Sequence, residues 1–449
     1  MYRNFEHYKN ERAALIQRDR SLRTDHSEVL SEEEIKADRV LREIRAVEAA
    51  TIWNEKYSDI EHPFPGMEFL TGRSIVVQTK LFKILSKARV LLATPFNTWV
   101  QLHTARDTFN ASLAPTRRIA HIILLIRSGT NLLASLPFLE DWSTFVPVWR
   151  KYIYEFLRSS AEDGISYLEA RVMFSMEYMI GEDGAQNVPH REWLLIFDEV
   201  QNALKADLRA QGKEDEFIGA RIIYTALRFI PTEELDWFCE DCISLKKEFP
   251  HLIAGFDLAG PENIPPPLIN YAEGLLRFRE RQREEEVDIP LLLHAGETCG
   301  DGTHADMNLY DAILLGSKRI GHGFSLVKHP SLMQECREKG VLVEVCPISN
   351  EVLRLTSNMP MHPLPILLNN GVPVSISSDD PGVFGNPGLS FDMYQVLASS
   401  EITGLITLRE LARDSLKYST LDPETKERAL DHWNRRWESF VKWVADSSS

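Results

Sequence analysis

A chain of 449 residues, 44% hydrophobic and 26% charged, carries enough apolar material for a large core, and its length suits one (β/α) barrel with an added segment. Its formal net charge of −16 repels a nucleic-acid backbone and argues against a polymer-binding role, while a small neutral or cationic substrate remains compatible. The apolar run Ile119–Ile126 falls far short of the roughly 20 residues needed to cross a bilayer. The five cysteines are few and odd in number, and the N-terminal residues lack the apolar stretch of a signal peptide. Together these features predict a cytoplasmic protein with no membrane and no nucleic-acid partner.

Residues 1–85 read as an N-terminal helical segment. Ser31 stands three residues before Glu34, the spacing of a capping box, and Ile35, Val40, Leu41, Ile44 and Val47 follow a helical period up to Trp53. Residues 86–449 read as the barrel domain. Seven short apolar runs recur there, each ending in polar residues or glycine and followed by a helical stretch: 165–171, 221–228, 252–260, 290–297, 319–324, 341–347 and 373–380. This alternation predicts a parallel sheet covered on both faces, and with room for one more strand upstream it predicts an α/β fold, a (β/α)8 TIM-type barrel. Ala88–Ala93 is apolar enough for that first strand, although the region around it is atypical.

Barrel enzymes build their sites where strands end, and three polar constellations stand there. His294 and Glu297 close the run 290–297; an imidazole is a common metal ligand and a nearby carboxyl can serve as acid or base. Taken alone, the pair is matched as well by a histidine satisfied by backbone. His322 sits between Gly321 and Gly323, either close to a ligand or in an incidental turn. Asp379 and Asp380 precede Pro381; adjacent carboxylates are costly without a cation, but a helix N-cap fits the same residues. The three together form a coherent set of metal ligand, acid and base. Cys239 and Cys242 form a C-x-x-C without further ligands at zinc-site spacing and read as helix residues, and Glu280–Glu286 reads as a solvated helix end.

His294-Ala-Gly-Glu297, Arg319-Ile-Gly-His-Gly323 and Ser377-Ser-Asp-Asp-Pro381 resemble the motifs of adenosine deaminases. Gly255-Phe-Asp-Leu-Ala-Gly260, Glu344-Val-Cys-Pro-Ile-Ser-Asn350, Phe64-Pro-Gly-Met67 and Gln78-Thr-Lys-Leu81 resemble the adenosine deaminase-related growth factor branch. The resemblance covers 1–87 and about 150–449. It implies zinc-dependent hydrolytic deamination of adenosine, and of 2′-deoxyadenosine, to inosine and ammonia. His294 and Asp379 would be zinc ligands, Glu297 would protonate a purine ring nitrogen, and His322 would act as base toward, or orient, the attacking water. Asp380 and the Gly260 backbone would bind the purine nucleoside. Glu169 and Arg171 are expected to form a supporting ion pair. The branch also implies a homodimer through the N-terminal helices.

The chain departs from the family pattern in one respect. The family takes two more zinc ligands from an H-x-H at its first barrel strand, and no H-x-H occurs here; His103 and His121 are the nearest histidines. Residues 88–142 look unlike the family, which leaves open a misread coding segment or a real loss of the pair. The alternative readings are a deaminase-derived protein with impaired catalysis and a nucleoside-binding or signalling role, and a barrel amidohydrolase acting on another aminated ring.

Overall fold

The computed structural model describes residues 5–26, 30–51, 94–97, 145–174, 177–264, 266–380 and 388–446. The first two elements are helices, α1 (Phe5–Asp19) and α2 (Glu32–Thr51). The Ser31–Glu34 capping box forms: the Glu34 amide donates to Ser31 Oγ at 3.1 Å, and the Ser31 amide donates to Glu34 Oε2 at 3.0 Å. Val40 and Leu41 are buried with Ala37, while Ile35 and Val47 fall on the solvent side of the stripe and are exposed. Arg45 of α2 is buried and donates to the carbonyls of Leu397, Ser400 and Thr403, which ties this segment to the C-terminal part of the chain.

The remaining elements alternate. β1 (Thr94–Asn97) is followed by α3 (Val146–Asp163), β2 (Tyr167–Met173), the antiparallel hairpin β3 (Tyr178–Ile180) and β4 (Gln186–Pro189), α4 (His190–Ala210), β5 (Gly219–Leu227), α5 (Leu235–Glu248), β6 (Ile253–Ala259) and α6 (Ala272–Glu284). Then come β7 (His294–Ala295), α7 (His304–Leu314), β8 (Arg319–His322), α8 (Pro330–Lys339), β9 (Leu342–Val345), α9 (Pro347–Val352), α10 (Leu364–Asn369), β10 (Val374–Ile376), α11 (Ser390–Ala398), α12 (Leu405–Lys417) and α13 (Pro423–Asp446). Each of the seven runs read as a strand overlaps one, with β2 ending two residues later and β5 starting two residues earlier than read. The eighth, at the first position, is Thr94–Asn97, paired in parallel with β2 from Thr94↔Leu168 to Asn97↔Arg171. Ala88–Ala93 lies outside the described residues.

All ladder pairings except the hairpin are parallel, in the orders β1-β2-β5-β6 and β7-β8-β9-β10, and a Phe256↔Leu291 bridge joins the two arcs. The strands β2, β6, β8 and β9 are buried along almost their whole length because helices cover the outer face. β6 is buried at every position, and Phe256 packs against Phe278 of α6. Cys239 and Cys242 sit buried and free on α5, as read, and Glu280, Arg283, Glu284 and Glu286 are exposed at the end of α6. No helix among the described residues is long and apolar enough to cross a membrane.

Candidate active site

His294, Glu297, His322 and Asp379 converge where β7, β8 and β10 end. The His294 and His322 rings lie 5.2 Å apart. That approach needs Gly321, because a Cβ there would come within 3.2 Å of the His294 ring. His322 Nδ1 is 3.4 Å from Glu297 Oε1, and its Nε2 is 3.9 Å from Asp379 Oδ2. Ligand atoms of Glu297, His322 and Asp379 all lie within 4.8 Å of one another, a spacing able to hold a cation. His322 and Asp379 are non-glycine residues in left-handed backbone, with φ of 62° and 56°. Such conformations cost of order 1–3 kcal/mol each and concentrate at functional sites, where the strand end must turn sharply to aim a side chain.

His294 is held from two directions. Its Nδ1 lies 2.6 Å from Asp257 Oδ2, and its amide donates to Asp257 Oδ1 at 2.9 Å. With Nδ1–H given to a carboxylate, metal ligation by this ring runs through Nε2. Asp379 Oδ2 accepts from Ser349 Oγ at 2.6 Å. Among the described residues the cation-spaced group includes Asp379 but not His294, and the oriented His294 imidazole and the Asp379 carboxylate are two of the three protein ligands that a catalytic zinc takes.

The carboxyls of the site are not equivalent. Glu297 is pushed well above the ordinary carboxyl range by burial, then by the charges of Asp379 and Glu262. Asp380 is also raised, by burial first and by Asp379 and Glu297 next. Its Oδ1 is buried and has no hydrogen-bond partner among the described residues. Asp257 is held low by the charges of His294 and Arg171, which outweigh its burial. His322 is pulled down to about 4, chiefly by burial, so its imidazole is neutral at neutral pH. Gly260 follows β6 directly, with φ of 133°, and lies beside Arg228 and Phe229.

Glu169 and Arg171 do not pair with each other, contrary to expectation. Alternate residues of one strand point the same way but stand too far apart, whereas facing strands bring opposite charges into contact. Arg171 reaches Asp257 at 2.7 Å and Glu344 at 2.6 Å, while Glu169 pairs with Arg319 at 2.6 Å. Arg319 also meets Glu344 at 2.6 Å, so a chain of buried ion pairs runs from Glu169 to His294. Sequence reasoning missed Asp257, Arg228 and Glu262. Glu262 accepts from the amides of Gly296 and Glu297 at 3.0 and 3.1 Å, and Arg228 meets Glu262 at 3.3 Å. The one available signal was Asp257 itself, a carboxylate inside an otherwise apolar strand. His103, His121, Pro381 and the stretches 64–67 and 78–81 lie outside the described residues.

Two family profiles match the chain: "Adenosine deaminase" over residues 146–435 and "Adenosine/AMP deaminase N-terminal" over residues 3–85. Residues 86–145 fall between them. Adenosine deaminase 2-A of Danio rerio is 40% identical over 301 residues, covering 66% of this chain and 57% of the relative. Adenosine deaminase 2 of Homo sapiens is 36% identical over 303 residues (67% and 57%), and adenosine deaminase of Lutzomyia longipalpis is 37% identical over 302 residues (66% and 56%). The chain thus spans somewhat over half the length of these relatives. Among solved structures, a zinc-bound cog1816 amidohydrolase from Burkholderia ambifaria aligns with TM-score 0.62 at 19% identity, covering 80% of this chain and 94% of its own. An Arabidopsis N6-mAMP deaminase aligns with TM-score 0.61 at 18% identity, covering 79% and 99%. At these identities the likeness is one of fold, the α/β barrel of amidohydrolases and deaminases.

Proposed function

Because the chain belongs to the adenosine deaminase family, we propose that it hydrolyses the exocyclic amine of adenosine, and of 2′-deoxyadenosine, releasing inosine and ammonia. The observation that carries this reading is a buried carboxyl whose hold on its proton is strengthened, Glu297, together with a buried Asp380 oxygen that lacks a partner among the described residues. A protonated carboxyl donates to a purine ring nitrogen, which draws electron density from the carbon bearing the amine. Asp380 and the Gly260 backbone bind the purine. His294, through Nε2, and Asp379 would hold zinc, and His322 would act as base toward, or orient, the attacking water. Zinc in this position supplies a Lewis acid that makes water nucleophilic near neutral pH. The named relatives support a hydrolase over a deaminase-derived protein with impaired catalysis.

The test is the loss of adenosine absorbance as inosine forms, measured on the full chain with zinc and on Glu297→Gln. The variant should lose on the order of 10²–10⁴-fold in kcat, the usual contribution of a general acid. No turnover by the zinc-loaded wild type sinks the deaminase reading; unchanged turnover by Glu297→Gln sinks the assignment of the acid.

A further inference from the structure

The two ring nitrogens of His322 face different partners. Nδ1 lies 3.4 Å from Asn350 Nδ2, and Nε2 lies toward Asp379. Which nitrogen carries the hydrogen decides whether the ring gives or takes a proton on the side of the metal ligands.

A backbone amide on another element settles that choice. The Leu364 N–H can only donate, and it lies 3.0 Å from His362 Nδ1, so that nitrogen accepts. His362 is buried, and burial holds it down to about 3, so the ring is neutral and its single hydrogen is on Nε2. That Nε2–H donates to Asn350 Oδ1 at 2.9 Å. The amide orientation follows: Oδ1 faces His362, and Nδ2 faces His322. An amide NH₂ only donates, so His322 Nδ1 is the acceptor. Glu297 Oε1 also lies 3.4 Å from this Nδ1. Neutral His322 then carries its hydrogen on Nε2.

We infer that His362 and Asn350 are positioning residues that fix His322 as its Nε2–H tautomer, so that His322 meets the reacting oxygen as a hydrogen-bond donor and not as the group that takes its proton. Asn350 and His362 stand on different segments, before and after the turn that leads into α10, so the relay also couples the shape of that turn to the state of His322. The catalytic half of this inference rests on the deaminase reading; the tautomer does not.

Long-range ¹H–¹⁵N spectra of the full chain labelled with ¹⁵N-histidine distinguish a protonated from an unprotonated ring nitrogen, and the spectrum of His322→Gln identifies the His322 signals. The wild type should show the hydrogen on Nε2. Asn350→Asp offers acceptors to both imidazoles, so it should move the His322 hydrogen to Nδ1. It should also lower kcat on adenosine on the order of 10²-fold or more, with a much smaller change in KM, as expected for a catalytic histidine held in the wrong tautomer. Wild-type His322 with its hydrogen on Nδ1 overturns the inference by itself, whatever the variant does. So does an Asn350→Asp protein whose His322 keeps the wild-type tautomer. A chain that turns over no adenosine yet gives both tautomer results upholds the relay and removes the deaminase reading alone.

Discussion

At the scale of single residues, the site works by making like groups unlike. Glu297 and Asp257 are both buried carboxyls, yet burial and neighbouring carboxylates push the first up while the second, between His294 and Arg171, is held low. The first is suited to donate and the second to orient. Asp257 acts by holding His294 so that Nε2 is presented. Partners of this kind typically account for 10–100-fold in metal affinity. Asp257→Asn should therefore weaken zinc binding by about that factor, measured by competition with a chelating dye. Wild-type zinc affinity in the variant would show that Asp257 contributes packing alone.

At the scale of elements, the buried ion pairs bind strands that are remote in sequence. Arg171 on β2 holds Asp257 on β6 and Glu344 on β9, and Arg319 on β8 holds Glu344 and Glu169. Glu169 in turn accepts from the Thr420 amide at 2.6 Å, which fixes the turn between α12 and α13. A buried network of this kind is weak evidence for net stability, but removing one member leaves its partners charged and uncompensated. Arg171→Met should cost about 3–5 kcal/mol, read as a lowered midpoint of urea unfolding. A change within about 0.5 kcal/mol, the range of a surface substitution, would mean that water reaches the two carboxylates and replaces the guanidinium.

At the scale of the whole molecule, the start and end of the barrel are joined through a carboxyl that titrates. Asp163, at the end of α3, accepts from Ser390 Oγ at 2.7 Å and from the Ser390 amide at 3.2 Å, at the start of α11. Burial pushes it up to about 6, against an ordinary value of 3.8. Between these values the folded chain holds a proton that the unfolded chain has released, so this group's contribution to stability falls as pH rises from about 4 to about 6 and is level above that. Asp163→Asn cannot ionise. The stability of wild type relative to the variant should rise as pH is lowered from 7 to 4, measured by urea midpoints at each pH. A difference that does not change with pH would mean that Asp163 titrates normally in the folded chain.

What the sequence by itself determined was local. The alternation of apolar runs and helical stretches marks each of the seven strands from β2 to β10 that form the barrel, because burial on both faces leaves a composition visible in a short window. The Ser31–Glu34 cap was legible for the same reason: both partners lie within one helical turn. His294, Glu297, His322 and Asp379 were legible because polar residues at the ends of apolar strands stand out. What the tertiary structure decided was partnership. Neighbours in sequence suggested Glu169 with Arg171, but the tertiary fold gave each a partner on another strand. Asp257 lies within Gly255–Gly260, yet its role as the carboxylate under His294 depends on how β6 meets the segment carrying Leu291. The relay from Leu364 through His362 and Asn350 to His322 was likewise invisible, since hydrogen bonds between distant segments leave no period or spacing in one chain. Residue types fixed what chemistry was available; the barrel's register decided which proton sits on which atom.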